Sequence, residues 1–173
     1  MITIRHERPT DAPAREALLD ETFGPDRWRK SSQRLRDGRL PAESLAFIAA
    51  EGRRILGTAR LWHVQCATGE RILLLGPVAV AAGHRSRGIG AALMRRALAA
   101  ARKHGHGGII LVGDASYYGR FGFSADKARR LRLPGPFERH RLLALELRPG
   151  TLDNARGLIK AAGPSAPHVA AAA

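Results

Sequence analysis

The chain has 173 residues, 45% hydrophobic and 25% charged, the profile of one soluble globular domain with a sizeable core. Its 29 Lys and Arg against 15 Asp and Glu leave a formal charge of +14, which favours anionic ligands such as nucleotides, phosphates, nucleic acid or acidic headgroups. A single cysteine, Cys66, excludes an internal disulfide and suits a reducing cytoplasm, and no apolar run is long enough to span a membrane; MITIRHERPTD lacks the apolar core of a signal peptide.

Taken in chain order, ITIRHE alternates from Ile2 through Ile4 and reads as a first strand. Thr10 and Asp11 are cap candidates for a helix with Ala14, Leu18 and Phe23 among its apolar positions. PDRWRKSSQRLRDG reads as a second helical piece or an irregular lid, ended by Gly38. SLAFIAAEGRRILGTARLWHV has the pattern of a hairpin turning near Glu51-Gly52. RILLLGPVAV is too continuously apolar for a half-exposed strand and is expected to be central and buried. Pro77 inside it cannot donate to a ladder, so a bulge is expected there, freeing backbone groups of Val78 and Val80.

A helix then runs from Gly88 to the stop at Gly105, with Ile89, Leu93, Met94, Ala97, Leu98 and Ala101 on one face. Its start is unusual. Arg85 and Arg87 crowd the positive end of the helix dipole where acidic residues would be favourable. Free amides and close-approach glycines make such a start a site for phosphate or pyrophosphate. Two nucleotide motifs fail here: Leu93 stands where the dinucleotide fingerprint needs its third glycine, and no Gly-Lys-Ser/Thr follows a longer loop. GIILVG is the next strand, DASYYGRFGF a short helix and turn, and RLLALEL a late strand. Strands dominate the first half, with a strand–helix–strand unit in the middle, so the pattern implies an α/β or α+β sheet. The tail AAGPSAPHVAAAA has little to bury and is expected to be mobile.

RSRGIG, Arg85 to Gly90, resembles the cofactor motif Arg/Gln-x-x-Gly-x-Gly/Ala of the GCN5-related N-acetyltransferase (GNAT) family. YGRFGF, with Tyr118, Gly122 and Phe123, is similar to that family's second signature, a Tyr before Gly-Phe. The order and spacing match from the first strand to about Leu147 and look like a bacterial branch of predicted acetyltransferases. The resemblance implies an α/β, GNAT-like mixed, mostly antiparallel central sheet with a splayed, bulged central strand and flanking helices. It also implies one domain over residues 1–150, with 151–173 as a C-terminal extension. The implied activity is acetyl-CoA-dependent N-acetyl transfer, directly to a primary amine of a small molecule or protein. Acetyl-CoA would place its pyrophosphate on Arg85, Ser86, Arg87, Gly88, Ile89 and Gly90 and its pantetheine arm along Val78, Ala79 and Val80. Backbone N–H near Val78 would polarise the thioester carbonyl. Tyr118 would protonate the departing thiolate, with Tyr117 as its rival.

A general base is expected, with Glu21, His63 and Glu70 as candidates of suitable chemistry but no motif. Asp114 stands near where many members carry an Asn, though it could equally cap the short helix. Cys66 lies where no His or Asp has a telling spacing, which favours an ordinary structural thiol over a covalent acetyl-enzyme. His104 and His106 lack the companions that a closed metal set needs. The acceptor pocket is expected to be built by the first helix, PDRWRKSSQRLRDG and SADKARRLRLPGPFERHR, and Trp28, Trp62 and Phe137 could line it or pack in core and lid. Two rival classes share some of these features: an acyl-CoA-binding sensor without turnover, and a basic nucleic-acid-binding module. The second has Arg95, Arg96, Arg102 and Lys103 in its favour, and 5% aromatic content with no reading motif against it. Dimerisation is compatible with this fold class, but no residue specifies an interface.

Overall fold

The computed structural model describes residues 1–167. In chain order it contains β1 (Ile2–His6), α1 (Ala12–Phe23), 3-10 turns at Pro25–Arg29 and Ser31–Leu35, β2 (Ala46–Glu51), β3 (Arg54–Gln65), β4 (Arg71–Val80), α2 (Ile89–Lys103) and β5 (Gly108–Val112). These are followed by α3 (Ala115–Tyr118), β6 (Leu131–Arg132), β7 (Leu142–Glu146), β8 (Gly157–Leu158) and β9 (Lys160–Ala161). The main sheet has the order β1–β2–β3–β4–β5–β7, and β9 adds to β3. Every pairing in it is antiparallel except β4 with β5. No helix among the described residues is long and apolar enough to cross a membrane.

The apolar run of β4 is continuous because both faces of the sheet are covered. Leu73 and Leu75 join Leu93, Met94 and Ala97 of α2 on one face. Ile72 and Leu74 join Trp62, Ile110 and Leu142 on the other. The apolar stripe expected on α2 is buried throughout, from Ile89 to Ala101. At Pro77 the ladder slips: Leu61 faces Leu75, but Ala59 faces Val78. The extra residue shifts the alternation by one. Beyond it, Val78 and Val80 turn toward α2, and Ala79 packs instead with Leu18 and Leu19 of α1.

Three expectations need correction. Asp11 does act as a cap, but one turn earlier than α1: it accepts from the Arg8 N–H at 2.7 Å within a capping box, and α1 begins without a side-chain cap. The segment after Gly24, expected as a second helical piece or an irregular lid, is helical only in two short 3-10 turns and not as a single piece. The tail is docked through residue 166. β3 extends past the end of β2, and β9 takes that free edge at Val64↔Ala161 and Gln65↔Lys160. The Leu40 N–H then donates to Pro164 O and the Ala166 N–H to Gly38 O, at 2.9 and 2.8 Å. The expected mobility of residues 168–173 lies outside the described residues.

Candidate active site

β4 and β5 share only two register pairs, Leu73↔Ile109 and Leu74↔Ile110. Past Leu74 the strands part, so the edge of β4 that should continue the sheet has no strand beside it. The bulge sits at this fork. Gly76 and Pro77, joined by a cis peptide, lie opposite Arg60, and the Gly76 carbonyl accepts from buried Trp62 Nε1 at 2.7 Å. A cavity of about 710 Å³ opens between the parted strands. Leu74 to Val78 and Leu111 to Asp114 form its floor, and Tyr117 and Tyr118 stand on one side. Across from them, Phe23 to Arg36 and Leu133 to Arg141 contribute the wall, the two segments whose sequence carried no motif.

At the end of β4 the chain turns through Ala81 to Gly88 into α2. Ser86 and Gly88 have φ of 64° and 77°, left-handed values that a non-glycine such as Ser86 adopts only at a cost. No side chain caps α2 and its first turn holds no acidic residue. Its first N–H groups therefore lack a side-chain partner at the positive end of the helix dipole. Arg85 to Gly88 are exposed, and Arg85 Nε reaches back to Val80 O at 3.4 Å. Arg87 donates to His84 Nδ1 at 2.8 Å. Such a concavity of backbone donors and guanidinium groups suits an anion.

Two glycines hold this start close to the sheet. A Cβ on Gly57 of β3 would fall 2.9 Å from Leu93 Cδ1 and 3.1 Å from Ala79 O. A Cβ on Gly90 would fall 3.2 Å from Tyr117 Oη and 3.6 Å from Val80 Cγ2. Gly90 therefore lies directly beneath the Tyr117 hydroxyl, which joins the helix start to α3. Tyr118 takes a different position. Its ring covers Gly113, where any Cβ would collide with it at 2.3 Å. It also packs edge-on against Tyr117 and Phe123, with centroids 4.9 and 6.3 Å away. Burial pushes the Tyr118 hydroxyl above the usual phenol value, and Tyr117 and Asp114 add to that effect.

The structure thus brings Val78, Tyr117 and Tyr118 into one cavity, with Val80 and Gly90 at its edge. Ala79 is buried on the opposite face, and Arg85 to Gly88 form the separate helix-start concavity. The three base candidates lie elsewhere. Glu21 is exposed on α1, His63 packs on His106 at 5.6 Å between ring centroids, and Glu70 sits in a turn bonded to Thr68; none lines the cavity. Asp114 does not cap α3 with its side chain but accepts from Arg141 Nη1 at 2.6 Å. Trp28 is 54% exposed beneath the Arg27 guanidinium, Trp62 is core, and Phe137 lines the cavity. Cys66 is buried, and burial raises its thiol to about 11, leaving it a poor nucleophile. Two of the segments expected to build the acceptor pocket do contribute this wall, although the sequence did not single out Lys30, Arg36 and Glu138 within them. No periodic signal marks them within an Arg-rich chain.

Comparison with known proteins gives a consistent answer. The model of the acetyltransferase (GNAT) family matches residues 11–123. The uncharacterized N-acetyltransferase YhbS of Escherichia coli (strain K12) is 32% identical over 146 residues, covering 80% of this chain and 86% of that protein. A crystal structure of Escherichia coli YhbS in complex with CoA superposes with a TM-score of 0.78 at 27% identity, over 93% of this chain and 89% of that one. A Brucella melitensis GNAT family acetyltransferase in complex with acetyl-CoA gives 0.68 at 27% identity, over 94% and 96%.

Proposed function

This chain belongs to the GNAT family of acetyltransferases, and from that premise we propose that it transfers an acetyl group from acetyl-CoA directly to a primary amine. The carrying observation is the fork itself: an unpaired β4 edge and two tyrosines meet around one cavity, and Gly90 in the uncapped first turn of α2 lies against the Tyr117 hydroxyl. Both solved relatives at 27% identity hold CoA or acetyl-CoA, and the residues here fit that molecule. Arg85 to Gly90 would hold its diphosphate through backbone N–H groups and the two guanidinium groups. The free edge at Val78 to Val80 would pair with the pantetheine amides. Acetyl-CoA supplies an activated thioester, in which C–S breaks as the amine N–C bond forms.

The chain's own groups would handle charge and protons. The Val78 N–H would polarise the thioester carbonyl. Tyr118, kept protonated by its burial, would give its proton to the leaving sulfur and regain one from the amine through solvent. The incoming amine must lose a proton in a cavity where four cationic side chains, Arg27, Lys30, Arg36 and Arg141, face only two carboxylates, Asp114 and Glu138. Cationic surroundings disfavour the ammonium form and so ease that loss. All of this machinery lies within residues 1–150, which we read as the catalytic domain, with 151–173 as its extension.

Isothermal titration of acetyl-CoA into wild type and Gly90→Glu tests the reading. The new carboxylate would meet both the anion and the Tyr117 hydroxyl, so saturable binding is expected in the wild type and loss in the variant. Absence of binding to folded wild type would remove the co-substrate. Binding without turnover on any amine would leave an acyl-CoA sensor in its place.

A further inference from the structure

Arg36 follows the second 3-10 turn and lines the cavity, yet its residue is only 8% exposed. Its Nε donates to Gln33 Oε1 at 3.2 Å. Among the described residues, its two terminal nitrogens make no hydrogen bond and no ion pair, and the neighbouring carboxylates are engaged elsewhere. Asp37 accepts from Gln33 Nε2 at 2.7 Å. Glu16 and Asp20 hold Arg27, Glu7 lies between Arg15 and Arg60, Asp114 holds Arg141, and Glu138 stands beside His140 at 3.3 Å. Burial lowers the Arg36 guanidinium to about 10; the charge of Asp37 opposes this in part, and those of Arg27 and Arg60 add to it. A buried guanidinium is costly unless it is paired. Here the missing partner would have to enter by the cavity.

We propose that Arg36 is the anchor for an anionic acceptor, an amine that also carries a carboxylate or phosphate group, gripped by the two free guanidinium nitrogens. The proposal rests on the acetyl-transfer reading and names its substrate class. A planar fork with both prongs free matches an oxyanion in bidentate fashion. The position separates this anchor from the co-substrate's own phosphates. Arg36 lines the same cavity as Tyr117 and Tyr118, whereas Arg85 to Gly88 do not line it. Lys30 stands nearby over the Phe23 ring at 4.6 Å, without an ion pair among the described residues, and would add the second charge that a phosphate needs. Phe23, Leu133 and Phe137 supply an apolar surround for the rest of the acceptor.

The test uses matched acceptors that differ by one charge. Free amino acids are compared with their carboxamides, and phosphoethanolamine with ethanolamine, in steady-state acetylation by wild type, Arg36→Met and Arg36→Lys. The wild type is expected to prefer the anionic member of at least one pair by roughly 10- to 100-fold in kcat/KM. Arg36→Met should abolish that preference mainly through KM, and Arg36→Lys should restore part of it. Which pair shows the preference distinguishes carboxylate from phosphate. Two controls separate recognition from structure. Titrated acetyl-CoA should bind Arg36→Met within about threefold of wild type, and that variant should melt no lower, because it removes an uncompensated buried charge. A wild type without charge preference, a preference that survives Arg36→Met, or a variant that merely melts lower would overturn the proposal. An arm without turnover titrates N-acetylated amino acids and their amides directly. Arg36-dependent binding there, alongside failure of acetyl-CoA to bind, would sink the transfer reading and leave the anion anchor standing.

Discussion

Replacing Gly57 by alanine tests how the anion site is held against the sheet. The added Cβ would sit 2.9 Å from Leu93 Cδ1, 3.2 Å from Ile89 Cγ2 and 3.1 Å from the backbone oxygen of Ala79. Carbon contacts in cores settle near about 3.5–4.0 Å, so α2 must retreat by several tenths of an ångström. Ala79 O belongs to β4 and has little freedom to move. Leu93 is fully buried and Ile89 nearly so, so the strain falls on the first turn of the helix. Overpacking of this kind costs roughly 1–3 kcal/mol. With a urea slope of about 2 kcal/mol per molar, the denaturation midpoint should fall by about 0.5–1.5 M. Acetyl-CoA affinity should weaken in parallel, because the displaced turn carries the anion-binding N–H groups. Gly119→Ala is the control: it has no neighbour within 4 Å and adopts a right-handed helical φ, so it should leave the midpoint unchanged or slightly raised. Leu93→Val removes the colliding methyl, and the double variant should therefore be about 1 kcal/mol more stable than the sum of the two singles. An unchanged midpoint for Gly57→Ala, or strict additivity of the pair, would refute the close-approach argument.

Tyr118→Phe should lower kcat by roughly 100-fold with acetyl-CoA affinity retained, while Tyr117→Phe stays within a few-fold. The reverse ranking in single-turnover rates would reassign the acid. Because the Tyr118 pKa is raised, wild-type kcat should hold its plateau up to about pH 10 and decline only above it; a decline confined to the variant would contradict the assignment. The Asp11 carboxyl is held down to about 2, first by its hydrogen bonds from Arg5 and also by the Arg8 N–H. A depressed carboxylate pKa stabilises the fold above the unfolded value near 4, and that stabilisation disappears as pH falls toward 2. After solvent screening it amounts to on the order of 1 kcal/mol. Asp11→Asn should therefore be less stable than wild type at pH 7 and converge with it near pH 2, as read by denaturant midpoints across pH.

What could be read from the residues depended on whether they carried a period or a spacing. The α2 stripe from Ile89 to Ala101, the buried run of β4 and the slip at Pro77 all follow from local rules, and the structure has each of them. The two short glycine-bearing signatures were legible because backbone that approaches a ligand or a ring leaves no room for Cβ. Gly90 beneath Tyr117 is one such place, and Gly113 beneath Tyr118 is another that the sequence reading had overlooked. β8 and β9 were missed because two residues carry no alternation. β9 pairs because β3 outruns β2, and β8 because the fold brings it beside β6 in a separate two-stranded sheet; both are tertiary facts. The base candidates failed for a similar reason: Glu21, His63 and Glu70 were chosen by chemical type, and type does not say which side of a sheet a residue faces. Arg36 was hidden in the opposite way, as one arginine among many, distinguished only by what surrounds it after folding.

The docked tail has a consequence for how this protein could vary. Arg39 Nη1 donates to Gly163 O at 2.7 Å, and the backbone bonds of Leu40 and Ala166 fasten the same neighbourhood. The ribbon so fastened begins three residues after Arg36. Residues 160–166 therefore work as a buttress behind one wall of the reaction chamber while touching none of the chemistry. Loosening these residues would disturb which acceptors fit before it disturbed whether the sheet folds. The same separation gives mutation a place to retune substrate choice from outside the chamber, leaving the fork between β4 and β5 untouched.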